Sequence, residues 1–237
     1  MGFDSRARVV EELVRGSVGT PIEDEEKQRV VRMADEAARA FAAMRGVRNG
    51  VAVFGSARDG PVHRWGHLAR RVSHALTEAG FTAITGGGPG LMAAVNDGAM
   101  GAGGRSVGLT IQLPVDEPAN DFLTLEVPFH YFFLRKLVFV KYSCAFVLLP
   151  GGFGTLDELF EALNLRRTHR LDPFPVILLG AEYWAGLVEW LRSSAVDAGA
   201  LSSEDVDSLI VTDDVQCVVD AVIECHATLC RRLGIAP

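Results

Sequence analysis

The chain has 237 residues, of which 49% are hydrophobic and 22% are charged, and its formal net charge is −7. A chain of this length and hydrophobic content buries a sizeable core, as one large α/β domain or two small ones. The acidic balance argues against a nucleic-acid partner, because surfaces that bind phosphate backbones carry a basic excess. A single bound phosphate needs only a local positive site and is compatible with this composition.

The sequence predicts a protein of the cytoplasm that makes no membrane contact. Its first residues, MGFDSRARVVEELVRG, lack the apolar core of a signal peptide. No apolar run approaches the roughly 18 residues that a membrane span needs. The four cysteines show no CxxC and no zinc-type spacing, which favours a reducing compartment.

Residues 1–45 are predicted to form an N-terminal helical extension, and residues 46–237 a single domain. Residues 1–22 carry little pattern, and we expect them to be partly disordered. From Glu23 to Met44 an apolar stripe runs opposite a charged face, which is typical of a helix. We expect that helix to pack against the domain or against a sister subunit.

From residue 51 onward, short apolar runs alternate with helical patterns. Strands are predicted at residues 51–54, 81–85, 106–112, 144–149, 175–179 and 209–211, and helices at 65–79, 91–100, 131–142, 156–163, 184–194 and 214–233. The stretch 114–128 contains proline and aspartate and is expected to be irregular. The alternation predicts a Rossmann-like, doubly wound parallel sheet with helices on both faces.

Glycine-containing turns follow three of the predicted strands, at Gly55-Ser56, Gly86–Gly90 and Gly151–Thr155. Ligands of doubly wound sheets lie beyond the carboxyl ends of the strands, so we expect these turns to meet in one crevice. The N-terminus of a helix that begins there suits a phosphate. The candidate phosphate contacts are Gly55, Ser56, Gly87, Gly88, Gly151, Gly152, Gly154 and Thr155. The alternative is that the glycines only permit tight turns.

Several common sites are not favoured by the sequence. Neither of the two longer turns has the spacing GxGxxG, and the chain contains no GxxxxGK[ST], which disfavours dinucleotide and triphosphate sites. The histidines His63, His67 and His74 share a predicted helix face, but no carboxylate accompanies them at ligand spacing. We therefore expect a small phosphorylated ligand, with neither a metal nor an organic cofactor.

Glu158 supports two interpretations. It follows Thr155 at the spacing of a capping box, in which Thr155 is the N-cap of the helix and Glu158 turns back to it. Alternatively, Glu158 faces a sugar whose phosphate sits on the same helix N-terminus. Cleavage of an N-glycosidic bond develops positive charge on C1′, and a carboxylate there stabilises that charge or activates the attacking water.

Two adjacent cations, Arg135 and Lys136, interrupt the apolar segment FHYFFLRKLVFVKY. Cations in such a segment need an anionic partner or a water-filled site. Arg135 is a candidate to orient Glu158 or to steady a departing base, and Lys136 is a candidate substrate contact. The alternative is a pair that snorkels at the helix edge. Asn96, after the second glycine turn, is either a contact to ribose or base or a surface residue.

Three of these motifs together resemble one known family. The segment Pro150–Glu158, PGGFGTLDE, resembles the PGGxGTxxE signature of the LOG family. The turn Gly86–Met92 resembles the glycine-rich turn of that family, and the pair Arg135-Lys136 resembles its RK pair. The motifs occur in the same order and spacing over a region from about Val51 to about Leu179.

The resemblance implies a function. Members of the LOG family are nucleoside 5′-monophosphate phosphoribohydrolases, so the substrate is expected to be AMP or a cytokinin riboside 5′-monophosphate. The residues that match the catalytic pair of the family are Arg135 and Glu158. The resemblance also implies a homodimer or a higher homo-oligomer, with the aromatic helix around Tyr131 to Phe139 as a candidate interface.

Two other functions are compatible with parts of the pattern. A non-catalytic nucleotide or cofactor carrier of the same fold needs the phosphate-binding turns but not both Arg135 and Glu158. A pyridoxal-phosphate decarboxylase is suggested only by the label of lysine decarboxylase that the family carries. The chain has three lysines, Lys27, Lys136 and Lys141, and no acidic partner for a pyridinium nitrogen is identifiable, so the sequence disfavours this enzyme class.

Overall fold

A computed structural model describes residues 23–113, 118–168 and 174–234. The disorder predicted for residues 1–22 lies outside the described residues. In chain order the elements are α1 (Glu23–Met44), β1 (Gly50–Phe54), α2 (Asp59–Glu78), β2 (Thr82–Thr85), α3 (Leu91–Gly101), β3 (Ser106–Ile111), β4 (Leu125–Phe129), α4 (Phe132–Tyr142), β5 (Ser143–Leu148), α5 (Phe153–Arg167), β6 (Val176–Leu179), α6 (Ala181–Trp190), a π-helical turn (Leu191–Val196), α7 (Ser203–Asp207), β7 (Leu209–Thr212) and α8 (Val215–Leu233). None of the helices in these ranges is long and apolar enough to cross a membrane.

The strands form one seven-stranded sheet in the order β4-β3-β2-β1-β5-β6-β7. Every neighbouring pair is parallel. The chain runs from β1 outward to β4 and then returns to place β5 on the other side of β1. The predicted doubly wound parallel sheet is thus confirmed, and its strand order reverses between β1 and β5. A crevice for a ligand is expected at the carboxyl ends of these two strands.

Side chains alternate between two hydrophobic cores, one on each face of the sheet. Ala52 and Phe54 of β1 face the core formed with α1, α4, α5 and α6. Val51 and Val53 face the core formed with α2, α3 and α8. This period of two, with apolar residues on both faces, is the reason why the central strands appear in the sequence as continuous apolar runs.

The N-terminal helix α1 packs on the domain. Its residues Ala40 and Met44 are buried in the same core as Phe54. The carboxylate of Glu36 accepts hydrogen bonds from the backbone N–H groups of His130 and Tyr131, both at 3.0 Å. Side-chain packing and a buried polar contact therefore join α1 to the loop that precedes α4.

The expectation of an irregular stretch at 114–128 is wrong at its end, where the chain forms β4. This strand pairs with β3 in parallel, with Thr110 opposite Pro128. β4 is an edge strand. An edge strand tolerates a proline because one of its sides forms no hydrogen bonds with a neighbouring strand. The short helix α7 was also absent from the predicted elements. A capping box between Ser202 and Asp205 begins it.

Candidate active site

The three predicted glycine turns meet around one cavity of about 710 Å³ at the carboxyl ends of β1, β2 and β5. The lining includes ten of the twelve residues that the sequence singled out: Gly55, Ser56, Gly87, Gly88, Arg135, Gly151, Gly152, Gly154, Thr155 and Glu158. Arg135 comes from α4 and Glu158 from α5. The structure thus places the candidate phosphate contacts and the candidate catalytic pair in a single cavity.

Backbone hydrogen bonds hold the turns together. The N–H of Ser56 donates to the carbonyl of Pro150 at 3.1 Å, and the N–H of Leu91 donates to the carbonyl of Ser56 at 2.8 Å. Gly90 has a φ of +73°, and a Cβ there would overlap the Ser56 carbonyl and come within 2.6 Å of the Ala57 carbonyl carbon. The close approach of two turns therefore requires a glycine at position 90.

Helix α5 begins earlier than the capping-box interpretation requires. Its N-cap is Gly152, its first helical residue is Phe153, and the N–H of Leu156 bonds to the Gly152 carbonyl at 3.0 Å. Thr155 is inside the first turn, and Glu158 is in the second turn. The predicted Thr155 to Glu158 capping box is therefore wrong. The N–H groups at the start of α5 instead lie at the cavity, where helix geometry leaves them without an intrahelical acceptor.

Glu158 lies in the cavity wall, and only 9% of the residue is exposed. Its Oε1 is 3.2 Å from the Nζ of Lys136. Burial raises the pKa of Glu158 above its ordinary value, while the positive charges of Lys136 and Arg135 oppose the rise and the charge of Glu161 adds to it. A raised pKa makes the carboxylate a stronger base, which suits a group that accepts a proton from water.

Arg135 reaches into the cavity from α4. Its Nε donates to the carbonyl of Leu109 at 2.7 Å and its Nη2 to the carbonyl of Gly86 at 3.4 Å. Burial lowers the pKa of Arg135, and the charge of Glu158 partly offsets the effect. Arg135 therefore does not snorkel at the helix edge. It is anchored at the ends of two strands and acts on Glu158 through its charge.

The chain matches a family of known proteins. A family model described as "possible lysine decarboxylase" matches residues 92–222, a range that contains Arg135 and Glu158. The chain belongs to this family, the LOG family.

Two relatives of this LOG-family chain carry the same activity in their names. The chain is 32% identical over 165 residues to a cytokinin riboside 5′-monophosphate phosphoribohydrolase of Mycobacterium tuberculosis, a match that covers 67% of this chain and 83% of the relative. It is 29% identical over 175 residues to the protein of the same name from Rhodococcoides fascians, with coverage of 73% and 88%.

Solved structures agree with the fold. The structural genomics target TM1055 is 25% identical, with a TM-score of 0.58 and coverage of 74% of this chain and 99% of that one. The molybdenum cofactor carrier protein of Chlamydomonas reinhardtii is 23% identical, with a TM-score of 0.55 and coverage of 76% and 99%. At this identity the second likeness shows the shared Rossmann-like fold alone.

None of the three lysines of this LOG-family chain is among the residues that line the cavity. Lys136 contacts carboxylates of α5, and the Nζ of Lys141 lies 5.5 Å from the ring centroid of Phe41. Lys27 is on α1. The residues that line the cavity in the described chain include no lysine. The position of the lysines therefore gives no support to a Schiff-base enzyme, despite the description of the family.

The structure does not bring Asn96 to the cavity lining. Asn96 is fully buried, and its Oδ1 accepts hydrogen bonds from Thr85 Oγ1 at 2.7 Å and Asn120 Nδ2 at 3.0 Å. Its Nδ2 donates to Ser106 Oγ at 2.7 Å. The alternative of a surface asparagine is wrong, because the polar ends of β2 and β3 need a buried partner. Through these hydrogen bonds Asn96 instead stabilises the segments next to the second glycine turn.

Other lining residues were not singled out from the sequence. Tyr183, near the start of α6, donates its hydroxyl proton to the carbonyl of Gly151 at 2.6 Å. Arg58 follows β1 at the cavity mouth. Both come shortly after the carboxyl end of a strand, which is the signal that predicts such positions. The apolar part of the lining includes Phe54, Met92, Ile111, Leu113, Phe132 and Phe139.

Proposed function

We propose that this LOG-family protein hydrolyses the N-glycosidic bond of a nucleoside 5′-monophosphate, of the AMP or cytokinin riboside 5′-monophosphate type. The products are the free base and ribose 5-phosphate. The observation that carries the proposal is the buried Glu158 carboxylate, which shares one cavity with the N-terminus of its own helix and with Arg135. The activity named for the mycobacterial relative supports the same reaction.

The substrate phosphate is proposed to bind at the N-terminus of α5. Gly152 and Gly154 leave open space there, since a Cβ at either position would have no atom within 4 Å. The N–H groups of the first turn and the positive helix end attract an anion. The hydroxyls of Ser56 and Thr155 line the same region and are suited to donate to phosphate oxygens. Bound in this way, the phosphate brings the ribose to the second turn of α5, where Glu158 lies.

In the proposed reaction, the bond between C1′ and the base nitrogen breaks, and its electron pair leaves with the base. The ionised Glu158 carboxylate stabilises the positive charge that develops on C1′ and accepts a proton from the attacking water, whose oxygen bonds to C1′. Arg135 lies in the same cavity and stabilises the negative charge that grows on the departing base. The proton held by Glu158 then goes to the base or to solvent.

Incubation of the purified protein with a panel of nucleoside 5′-monophosphates and the matching nucleosides tests the proposal, with free base measured by chromatography. We expect base release from monophosphates only. The variants Glu158→Gln and Arg135→Ala are expected to lose at least about 100-fold in kcat. Circular dichroism of each variant verifies that the fold is retained.

The same panel separates hydrolysis from the carrier alternative. The structural likeness to a protein named as a molybdenum cofactor carrier makes a carrier a relevant comparison. Binding of a monophosphate without release of base, measured by calorimetry, would support the carrier and contradict the hydrolase. Such binding would also be insensitive to Glu158→Gln, because a carrier does not use the carboxylate chemically.

We propose a homodimer or a larger homo-oligomer that is joined through an apolar surface on α4 and α5. Phe133, Leu137 and Phe160 expose between 42% and 52% of their area there. Light scattering after size exclusion is expected to show the dimer or larger oligomer and a smaller mass for Phe133→Glu. The matched control Ile223→Glu replaces a residue that is 44% exposed on α8, across the sheet, and is expected to keep the larger mass.

We also propose a cytoplasmic location. The four cysteines, Cys144, Cys217, Cys225 and Cys230, are free thiols. A reducing compartment keeps thiols in this state. Fractionation of cells that produce the tagged protein is expected to recover it in the cytoplasmic fraction.

A further inference from the structure

The ammonium group of Lys136 joins α4 to α5 beside the cavity. The Nζ of Lys136 lies 2.9 Å from Asp157 Oδ2, 3.2 Å from Glu158 Oε1 and 2.8 Å from Glu161 Oε2. The three carboxylates are on one helix, so they repel one another, and Lys136 supplies one positive charge against three negative ones. The Lys136 side chain is 16% exposed, which makes these ion pairs partly shielded from water.

The three carboxylates differ in their surroundings. The side chains of Asp157, Glu161 and Glu158 are 62%, 32% and 12% exposed. Asp157 and Glu158 both line the cavity, and Glu158 is the one that is buried. Lys136 does not line the cavity. Lys136 thus contacts Glu158 without itself lining the cavity.

We infer that Lys136 is a positioning residue, which holds the Glu158 carboxylate in place and keeps it ionised, while Glu161 limits this effect by competing for the same ammonium group. The inference rests on the proposed function, since it assigns to Lys136 a role in the chemistry of Glu158. It replaces the direct substrate contact that the sequence predicted for Lys136.

The charged groups that act on Glu158 give the direction of each effect. Burial raises the pKa of Glu158, Lys136 and Arg135 on α4 oppose this rise, and Glu161 on α5 adds to it. Removal of Lys136 therefore raises the pKa of Glu158 further. Removal of the Glu161 charge moves the pKa of Glu158 back toward its ordinary value. It also leaves one carboxylate fewer to compete with Glu158 for Lys136. The two substitutions shift the same titration in opposite directions.

The test is the pH dependence of kcat/KM for base release, measured from about pH 5 to pH 9, whose acid limb reports ionisation of the catalytic base in the free enzyme. We expect the acid limb of Lys136→Met to move to higher pH, with a loss of at least about tenfold at the acid end. The acid limb of Glu161→Gln moves to lower pH. Lys136→Arg, which keeps the charge, restores the wild-type profile. The matched control Lys141→Met removes another lysine of α4 and leaves the profile unchanged.

The outcomes are distinguishable. If wild-type protein releases no base from any monophosphate, the proposed function fails, and this inference fails with it. If wild-type protein is active but Lys136→Met lowers kcat/KM equally at every pH, Lys136 only joins two helices and the inference is overturned. If Lys136→Met does not fold, the pH profile of Glu161→Gln provides the test. An acid limb of Glu161→Gln that stays in place or moves to higher pH overturns the inference.

Discussion

The Glu36 carboxylate on α1 accepts a hydrogen bond from the backbone N–H of Tyr131, the N-cap of α4, at a distance of 3.0 Å. The same carboxylate also accepts from the N–H of His130 at 3.0 Å. Glu36 is 5% exposed, and Tyr131 makes no side-chain cap of its own. The N-terminal helix therefore supplies the anionic cap for the helix that carries Arg135.

Glu36→Ala is expected to destabilise the protein by about 1–3 kcal/mol, because a buried and a partly buried N–H group lose their acceptor. Base release is expected to fall as well, since α4 positions Arg135. Urea unfolding and initial rates measure the two effects. The control Glu26→Ala, on the same helix, removes an exposed ion pair with Arg29 and is expected to change stability by less than about 1 kcal/mol. Equal unfolding midpoints for Glu36→Ala and wild type would contradict the assigned role of Glu36.

Glu158→Gln is expected to abolish activity and yet to match or exceed the wild type in thermal stability at neutral pH. Burial raises the pKa of Glu158, so the folded protein binds this proton more tightly than the unfolded chain does. Ionisation of Glu158 therefore destabilises the folded wild-type protein. This destabilisation is absent below the pKa of Glu158 in the unfolded chain and complete above its raised pKa in the folded protein. The Tm of Glu158→Gln relative to wild type is therefore expected to increase with pH across this window.

Differential scanning fluorimetry across that pH range checks this expectation. The control Glu182→Gln changes a carboxylate whose side chain is 77% exposed and should alter the Tm little at any pH. A Tm of Glu158→Gln that falls increasingly below wild type as the pH rises would mean that the ion pair with Lys136 outweighs the burial of the charge.

Gly151→Ala and Gly152→Ala are expected to have different effects, the first on stability and the second on substrate binding. A Cβ at Gly151 would overlap Thr155 Oγ1 and come within 2.6 Å of Thr155 Cβ, so this variant is expected to lose about 1–3 kcal/mol of stability. A Cβ at Gly152 would have no protein atom within 4 Å. Gly152→Ala should keep the wild-type Tm but raise KM for the monophosphate, because the methyl group stands where the phosphate approaches. A wild-type KM for a folded Gly152→Ala protein would argue against phosphate binding at this turn.

Asn96→Ala is expected to lower stability by about 1–3 kcal/mol without a comparable loss of activity per folded molecule. The substitution leaves the buried hydroxyls of Thr85 and Ser106 without their amide partner. Rates measured well below the Tm separate the two effects, with Ser56→Ala as the comparison that is expected to raise KM. A selective rise in KM for Asn96→Ala would indicate that Asn96 contacts the substrate.

Local patterns in the sequence were sufficient for most of the sheet. The strands β1, β2 and β5 are short, largely apolar runs that a glycine turn follows, and their burial on both faces makes that signal strong. Strand β4 was missed because Pro128 disfavours a strand in general. It is accommodated here only because β4 is at the edge, and that position depends on the order of all the strands.

The candidate site shows the same division between local and tertiary information. The sequence by itself determined which turns follow the strands and that Arg135 and Glu158 match a catalytic pair. It left open the direction of each side chain. Adjacent residues on a helix point about 100° apart, so Arg135 and Lys136 leave α4 in different directions. The packing of α4 on α5 and the sheet decided that Arg135 enters the cavity and that Lys136 reaches the carboxylates of α5.

The start of α5 was also decided by tertiary structure. The backbone at Gly152, rather than the spacing of Thr155 and Glu158, determines where this helix begins. Such outcomes depend on contacts between residues that are distant in the chain, and tertiary structure alone supplies them.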